Sequence, residues 1–410
     1  MQPIAGLSKR FVCVISTGLP HPTQGASAVV YAEYIAGLKA AGYDVGVVCL
    51  HSPDTTEIVP QIETYYKTKS IRLVACCASA FYEGRFGQYR LASQAVRHAR
   101  RRAAEFNPDK VVCFDLLAAW VGHELFPGVP RVVWLGDLHF ETNWFHALYE
   151  LREDGPNPRT IRDLARAWVY SFAWRRVYRT VLKDDHDIIV CNKSSEATLA
   201  NLGIHSSYAP YPWPCSPTSC QREIPKVPTF VFFGNLHGLG SRSALHFLID
   251  ELYPLCVRRF SPGGFNIRIC GRGSLYPWAD AAINARPELQ FLGFVDSLDQ
   301  VLSNCHAMLA PIDVPTGNRT RIVTAMAQRT PVIAHWNTAL GNPDLVDGET
   351  CLLAGTADEF VAQMIWTVER PKCVARILDR ALERYKQNFL PAVANTILIK
   401  MLGGTQSNSN

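Results

Sequence analysis

Two arginines at the predicted start of a helix are the strongest candidates for binding chemistry in this sequence. Gly317 lies in a loop, and Arg319 and Arg321 stand where a helix ending at Gln328 is expected to begin. A helix N-terminus attracts anions through its free N–H groups and its macrodipole, so positive side chains there are unfavourable unless a negative ligand compensates them. The pattern predicts a bound phosphate, and a pair of solvated surface arginines is the alternative.

A second group of polar residues follows a predicted strand in the N-terminal half. Asp137 and His139 come after the strand Arg131–Leu135. Side chains two positions apart on an extended chain point the same way, so both are candidates for one site. A carboxylate there would stabilise positive charge or orient a hydroxyl group, and a histidine would form hydrogen bonds with a ligand. The choice between the two stays open, beside the plainer interpretation of a helix-capping Asp and a packed His.

Strands and helices alternate along both halves of the chain. The predicted strands are Phe11–Ser16, Val45–Leu50, Arg72–Cys76, Lys110–Phe114, Arg131–Leu135, Asp187–Cys191, Phe230–Phe233, Asn266–Cys270, Leu289–Leu292, Ala307–Ala310 and Pro331–His335. The predicted helices are Ser27–Ala41, Gln88–Phe106, Leu116–Leu125, Thr160–Leu182, Ser194–Asn201, Arg242–Phe260, Asp299–Asn304, Arg321–Gln328, Thr356–Val368 and most of Pro371–Leu402. This alternation predicts open parallel sheets with helices on both faces, with ligands beyond the carboxyl ends of the strands.

A proline-rich stretch with little periodicity separates the two halves. We therefore expect an α/β protein with two Rossmann-like, doubly wound parallel-sheet domains facing a central cleft. The expected division is residues 1–207, a linker at 208–228, a second domain at 229–385, and a C-terminal helix and tail at 386–410 that pack back on the first domain.

Composition fits two globular domains and limits the partners. The chain has 410 residues, more than one growing core usually holds, with 48% hydrophobic residues and a net charge of +5. That mild charge suits an anionic ligand and does not require nucleic acid, so no nucleic-acid partner is expected. Cysteines inside predicted strands and the lack of a C-x-x-C pair indicate a reducing compartment.

No apolar run approaches the ~20 residues that span a bilayer, so we expect a cytoplasmic protein. Two basic stretches leave open a peripheral contact with the inner face of a membrane or with a lipid-linked acceptor, namely Arg85–Arg102 and Trp168–Arg179. The favoured interpretation is that their aromatic residues pack inward and their arginines are solvated.

The C-terminal half resembles family-4 retaining glycosyltransferases (glycosyl transferases group 1) of the GT-B fold. Thr316–Ala327 and Pro331–Ala334 are similar to that family's G-G-G-T-R-L-K-I-L-E-A-M-A and P-V-V-A segments. Further similar segments follow in order through most of residues 229–370, and these are Phe232–Leu236, Ile269–Gly273, Leu292–Asp296 and Leu345–Leu353. The N-terminal half resembles the acceptor-side domain of the same fold more loosely.

The resemblance implies a role for each matching residue. A nucleotide diphosphate sugar would be the donor substrate, with no metal and no further cofactor. The residues implied to hold its diphosphate are Gly25, Arg242, Gly317, Arg319 and Arg321, and those implied to hold its nucleotide are Asn235, Gly271, Phe294, Val295 and Thr324. Gly25 allows close backbone approach, with a plain strand–helix turn as the alternative. Asp137 or His139 would face the donor sugar.

One departure from the family pattern bears on catalytic turnover more than on binding of the donor. Many members have two glutamates spaced E-x7-E, and Thr316 and Thr324 occupy those positions here. The resemblance still implies a glycosyltransferase of the hexosyltransferase type, retaining and metal-independent. A catalytically degenerate relative that binds a nucleotide-sugar or a partner glycosyltransferase is one alternative, and a sugar-nucleotide epimerase is another. The sugar, base, acceptor and oligomeric state stay open.

Overall fold

Short apolar runs form the strands of two parallel sheets in the computed structural model. The structure describes residues 10–23, 25–51, 53–78, 82–83, 89–90, 93–215, 222–317 and 319–403. The first sheet and a short hairpin (β4 and β5) use β1 Phe11–Thr17, β2 Asp44–His51, β3 Arg72–Ala78, β4 Tyr82–Glu83, β5 Tyr89–Arg90, β6 Lys110–Phe114, β7 Arg131–Leu135, β8 Asp187–Val190 and β9 Ser207–Tyr208. The order in the first sheet is β3-β2-β1-β6-β7-β8-β9.

The second sheet has its own doubly wound order. Its strands are β10 Thr229–Asn235, β11 Asn266–Arg272, β12 Leu289–Gly293, β13 Ala307–Ala310, β14 Val332–His335 and β15 Leu352–Ala354. They are arranged β12-β11-β10-β13-β14-β15, again with parallel pairing throughout. The expected fold class, two Rossmann-like parallel-sheet domains, is confirmed.

Helices cover both faces of each sheet. In the N-terminal half they are α1 Ala26–Ala40, α2 Val59–Thr68, α3 Ser93–Ala103, α4 Leu116–Leu125, α5 His139–Asp154, α6 Pro158–Val181 and α7 Lys193–Ala200. In the C-terminal half they are α8 Leu239–His246, α9 Tyr253–Phe260, α10 Pro277–Asn284, α11 Leu298–Ser303, α12 Thr320–Ala327, α13 Trp336–Gly341, α14 Ala357–Glu369, α15 Pro371–Asn388 and α16 Pro391–Gly403. A 3-10 turn, Pro53–Ile58, precedes α2, and a π-helical turn, Phe247–Leu252, joins α8 to α9.

Strand predictions were more accurate than helix predictions. Every predicted strand is present, with ends that differ by at most two residues. The first helix begins at Ala26 with Gly25 at its N-cap, one residue before the predicted start at Ser27. Four helices (α2, α5, α10 and α13) and four short strands (β4, β5, β9 and β15) were not predicted from the sequence. The predicted basic helix is described only from Ser93, and Gln88 lies outside the described residues.

The end of the described chain returns to the first domain. Asn395 of α16 lies against Gly37 of α1, where an added Cβ would come 2.3 Å from Asn395 Nδ2. Lys110, at the start of β6, donates a hydrogen bond of 3.1 Å to the carbonyl of Met401. Within the described ranges, no helix has the length and apolar character that crossing a bilayer would require.

Candidate functional site

Both sheets direct the carboxyl ends of their central strands toward one interdomain cleft. The strand order reverses between β1 and β6 in the first sheet and between β10 and β13 in the second. Such switch points are where open α/β sheets bind ligands. The loops meet across the cleft, because a Cβ built on Gly317 after β13 would lie 3.6 Å from Asp137 Oδ2 after β7.

Arg319, which is buried, and Arg321, which is half-buried, lie together on the C-terminal side of the cleft. Arg319 is 8% exposed, and its Nη2 donates to the carbonyl of Val314 at 2.6 Å. Arg321 lies over the ring of Phe232 at 5.3 Å and donates to Ser241 Oγ at 2.8 Å. Arg321 Nη1 is buried with no hydrogen-bond partner among the described residues. Side-chain burial on this scale is costly for a cation unless a partner compensates it.

The charged groups around the arginine pair leave it with a net positive charge. No carboxylate of the described ranges forms an ion pair with either guanidinium. Burial lowers the pKa of Arg321 to about 9, and the charge of Arg319 adds to that effect. Burial also lowers the pKa of Arg319 to about 10, although Asp137, Tyr211 and Asp313 oppose the shift. Both side chains stay cationic at neutral pH, so the pair is a site of only partly compensated positive charge that an anion would neutralise.

Glycines make room for the two guanidinium groups. A Cβ at Gly234, at the end of β10, would lie 2.6 Å from Arg321 Cζ. A Cβ at Gly240, in the first turn of α8, would lie 2.9 Å from Arg319 Nη1. The arginines therefore lie against the start of α8, while Arg319 itself is the N-cap of α12. Two helix N-termini thus accompany the arginines, and helix N-termini favour anions. Asn318 lies outside the described residues.

Asp137 and His139 occupy different surroundings, although they are two positions apart. Asp137 is exposed beside Gly317 on the cleft. His139 begins α5, stacks on Trp174 with ring centroids 4.6 Å apart, and places Nε2 3.7 Å from Asp115 Oδ1. The helix start turns the chain between them, so the extended geometry assumed from the sequence does not hold. Asp137 is the one of the two that lies beside the arginine loop.

Asp115 is a cleft residue that the sequence analysis missed. It follows β6 and has φ 85°, a left-handed conformation that is unusual for a residue other than glycine. Its side chain accepts a hydrogen bond of 2.8 Å from the backbone N–H of Leu116, capping α4. Strained residues of this kind cluster at functional sites. The available signal was an Asp directly between a buried strand and an apolar helix.

Arg242 is directed away from the arginine pair, toward the other domain. Its guanidinium forms a bidentate ion pair with Glu153 near the end of α5. His246 Nε2 contacts the same carboxylate at 2.9 Å, and His246 stacks on Trp278 at 3.9 Å. We call Glu153, Arg242 and His246 the interdomain clamp. The predicted role of Arg242 as a third diphosphate ligand has no support in this geometry, because its guanidinium is paired.

The residues expected to hold the nucleotide lie along one sheet edge. Asn235, Gly271 and Phe294 are at or just beyond the ends of β10, β11 and β12, which are adjacent. A Cβ at Gly271 would lie 2.0 Å from the carbonyl oxygen of Gly234, so glycine is needed there. Phe294 is 64% exposed with Arg272 over its ring at 5.7 Å, while Val295 packs against the core.

Thr316 and Thr324, at the positions of the two glutamates, are not alike. Thr316 is 6% exposed in the loop after β13. Thr324 donates to the carbonyl of Thr320 at 2.9 Å and accepts a hydrogen bond of 2.8 Å from Trp213 Nε1. The Thr324 hydroxyl is therefore engaged by a residue of the interdomain linker. A ribose would have to compete with that indole.

Gly25, the remaining predicted residue, and a described cavity also belong to the cleft. Gly25 is exposed at the start of α1 with φ 104°, so glycine is required by the backbone. A cavity of about 240 Å³ lies between α5 and the loop after β13. It is lined by Phe145, Leu148, Tyr149, Arg152, Asp313 and Val314. In the searched part of the chain, no group of His, Cys, Asp and Glu is arranged to hold a metal ion.

Comparison with known proteins agrees with this architecture. Residues 227–370 match the family of glycosyl transferases group 1. That segment contains the arginine pair, the glycine strand ends and both threonines, so the family resemblance expected from the sequence is confirmed for the C-terminal domain. No curated protein sequence matches the chain.

Solved structures extend the similarity to nearly the whole chain. Anabaena Alr3699/HepE in complex with UDP is 16% identical with a TM-score of 0.66, covering 96% of this chain and 99% of that one. A glycosyltransferase from Rickettsia africae has a TM-score of 0.69 at 11% identity, covering 98% and 100%. Sucrose-phosphate synthase from Thermosynechococcus elongatus has a TM-score of 0.63 at 14% identity, covering 96% and 98%. The chain has the GT-B fold of these proteins.

Proposed function

We propose that the protein transfers a sugar from a nucleoside diphosphate sugar to an acceptor. The observation that carries the proposal is the pair Arg319 and Arg321, which forms no ion pair with a carboxylate among the described residues and includes a buried, unbonded Nη1 of Arg321. A diphosphate offers the charge and the acceptor oxygens that this pair lacks, and arginine forks suit phosphate oxygens. The site lies at the switch points of both sheets, where such a ligand is expected.

The arrangement suggests how the chain would assist transfer. When the bond between the sugar and the donor diphosphate breaks, the electron pair stays on the leaving diphosphate. A new bond forms from the acceptor oxygen to the sugar carbon, and the acceptor hydroxyl passes its proton to an oxygen of that diphosphate. Arg319, Arg321 and the two helix starts would stabilise the developing charge, which removes the need for a metal. Asp137, beside Gly317, would lie at the sugar end of the diphosphate. There its carboxylate would stabilise positive charge on the ring or orient the acceptor hydroxyl.

We propose a hexose donor carried by UDP, with retention of configuration. The support is similarity alone: Alr3699/HepE was crystallised with UDP-glucose, and the sequence signature resembles a retaining family. The interdomain cavity beside Asp313 has apolar and charged walls and is our candidate place for the acceptor.

A thermal-shift panel of UDP-, GDP-, ADP- and dTDP-sugars tests donor binding, because a ligand that binds the folded state raises its apparent stability. We expect one base to give a clear shift that Arg319→Ala and Arg321→Ala abolish. Arg258→Ala, an exposed arginine on α9, is the matched control. If no nucleotide-sugar shifts the melting temperature, the proposal fails at its first step.

A second candidate function is nucleotide-sugar binding without turnover. Two observations favour it, namely the threonines at both glutamate positions and the hydrogen bond that occupies the Thr324 hydroxyl. Donor hydrolysis and transfer assays with the nucleotide-sugar chosen by the panel separate the two. Measurable release of the nucleoside diphosphate, lost in Asp137→Asn, supports transfer. Tight binding with no release over a broad acceptor pool supports the binding protein.

A further inference from the structure

One face of α6 exposes large apolar side chains to solvent. Ile161, Trp168, Val169 and Phe172 are 56, 56, 45 and 54% exposed, and the rings of Trp168 and Phe172 touch each other at 5.0 Å. At 3.6 residues per turn they lie with Ala165 within an arc of about 100°. The opposite face holds the buried Ala167, Trp174, Tyr178 and Val181. The inward packing expected from the sequence thus holds for Trp174 and Tyr178 and partly for Tyr170, but not for Trp168 and Phe172.

Basic residues surround this apolar face. Arg162 and Arg166 lie along one flank, and Arg175, Arg176 and Arg179 continue the same face toward the end of the helix, all of them exposed. With Arg159, the helix has six arginines and one acidic residue, Asp163. Its formal charge of +5 equals that of the whole chain, so the remaining residues contain equal numbers of acidic and basic side chains.

We propose that α6 docks the protein on an anionic phospholipid bilayer. An amphipathic helix with Trp and Phe on its apolar face and arginines around it lies in the headgroup region, where its apolar side chains reach the acyl boundary. Each basic residue near an anionic surface contributes about 1 kcal/mol. The second basic stretch, Arg85–Arg102, lies only partly in the described residues, where Arg100 pairs with Glu124 and Arg102 donates to the carbonyl of Val74.

Charge decides against a second copy of this chain as the occupant. In a twofold-symmetric dimer the same patch faces itself, which would place one highly positive helix against another. A bilayer surface of opposite charge has no such penalty, and it accepts the whole 24-residue helix lying flat. The proposal stands on the exposed residues of α6 and does not depend on sugar transfer.

Vesicle co-sedimentation of the full chain tests the proposal. We expect binding to phosphatidylcholine vesicles that contain phosphatidylglycerol, much weaker binding to phosphatidylcholine alone, and loss of binding as salt screens the charges. Arg175→Gln with Arg176→Gln should weaken binding about 30-fold, at about 1 kcal/mol for each arginine. Trp168→Ser with Phe172→Ser should also weaken it, by removing the apolar contact.

Two control variants match these changes on the other domain. Arg258→Gln with Arg259→Gln removes the same charge from exposed positions of α9, and Leu340→Ser with Val346→Ser removes exposed apolar side chains. Both should bind vesicles like the parent. Equal binding to both vesicle types, or α6 variants that bind as tightly as the parent, would overturn the proposal. So would a concentration-dependent dimer, seen by light scattering, that the α6 variants abolish while vesicle binding is absent.

Discussion

Arg321 places the stability of the free protein against the binding of an anion. Its guanidinium is enclosed by Phe232, Gly234 and Ser241, and it lies near the buried cation of Arg319. Its buried Nη1 has no hydrogen-bond partner among the described residues, which costs free energy that binding of an anion would offset. The stability of the free protein and its affinity for an anion are therefore expected to be opposed.

Arg321→Gln tests this opposition. We expect the unliganded melting temperature to stay the same or to rise by a few degrees, since about 1 kcal/mol corresponds to about 2–4 °C in a domain of this size. The stabilisation by the nucleotide-sugar should disappear in the same variant. Calorimetry with and without ligand measures both. A large loss of unliganded stability would mean that the arginine is a structural residue.

Thr324→Val separates a structural role of this hydroxyl from a ligand-binding role. The variant leaves the Trp213 indole N–H without its acceptor, so we expect a loss of about 1 kcal/mol in the free energy of unfolding. Nucleotide affinity should change less than twofold. Denaturant titration and isothermal titration calorimetry measure the two quantities, and Thr198→Val on α7 is a control for removing a bonded threonine hydroxyl. A tenfold weaker nucleotide would show that the hydroxyl reaches the ribose.

At the scale of elements, the strands were predictable and several helices were not. Buried parallel strands such as β6 and β7 are continuous apolar runs, which the sequence shows directly. Helix α5 begins at His139 without a capping side chain, and its first turns contain Thr142 and Asn143, which are weak helix formers. It forms because its aromatic residues pack against α6 and the other domain. Local sequence holds little information on such contacts.

The close pairing of β10 and β11 predicts a strict requirement at Gly271. An alanine Cβ there would lie 2.0 Å from the carbonyl oxygen of Gly234, which belongs to the backbone and has little freedom to move. We expect Gly271→Ala to lower the free energy of unfolding by about 3 kcal/mol, by overpacking. Gly136→Ala, where the nearest atom is 3.6 Å away, should cost much less. Equal stabilities in denaturant titrations would contradict this account.

At the scale of the whole molecule, the clamp between α5 and α8 holds the two domains together. Tyr149 adds a hydrogen bond across the same cleft, to Asp313. The family resemblance assigned Arg242 a diphosphate-binding role that this geometry does not support. Its ion-pair partner, Glu153, is 89 positions away, so no local sequence pattern indicates the clamp. The position of Arg319 and Arg321 at the start of α12 was predictable because a helix start, a glycine and two arginines adjoin in the sequence.

Glu153→Gln should open the cleft. Removing one partner of a largely buried ion pair leaves Arg242 uncompensated, at a cost of about 3–5 kcal/mol. Because the contact joins two domains, we expect a larger radius of gyration by X-ray scattering as well as a lower melting temperature. Asp154→Asn, an exposed neighbour on α5, is the control. Unchanged scattering would mean that the other cleft contacts suffice.

Acid should release the same clamp. Burial acts to raise the pKa of Glu153, but the hydrogen bonds and charges of Arg242 and His246 outweigh it, so the net pKa is lowered below 4.5. A lowered carboxyl pKa gives stability that is present above the unfolded value and is lost as pH falls through the folded one. We expect the scattering radius to be constant near neutral pH and to rise below about pH 4.5, with a smaller pH effect in Glu153→Gln.

The return of α16 to the first domain has a consequence for the growing polypeptide. The surface of α1 near Gly37 is covered by Asn395, which is synthesised more than three hundred residues later. At a ribosomal rate of about 5–20 residues per second, that delay is tens of seconds. During this time the nascent first domain exposes a helix face that the finished protein covers. Completion of the N-terminal domain is thus tied to completion of the C-terminal one.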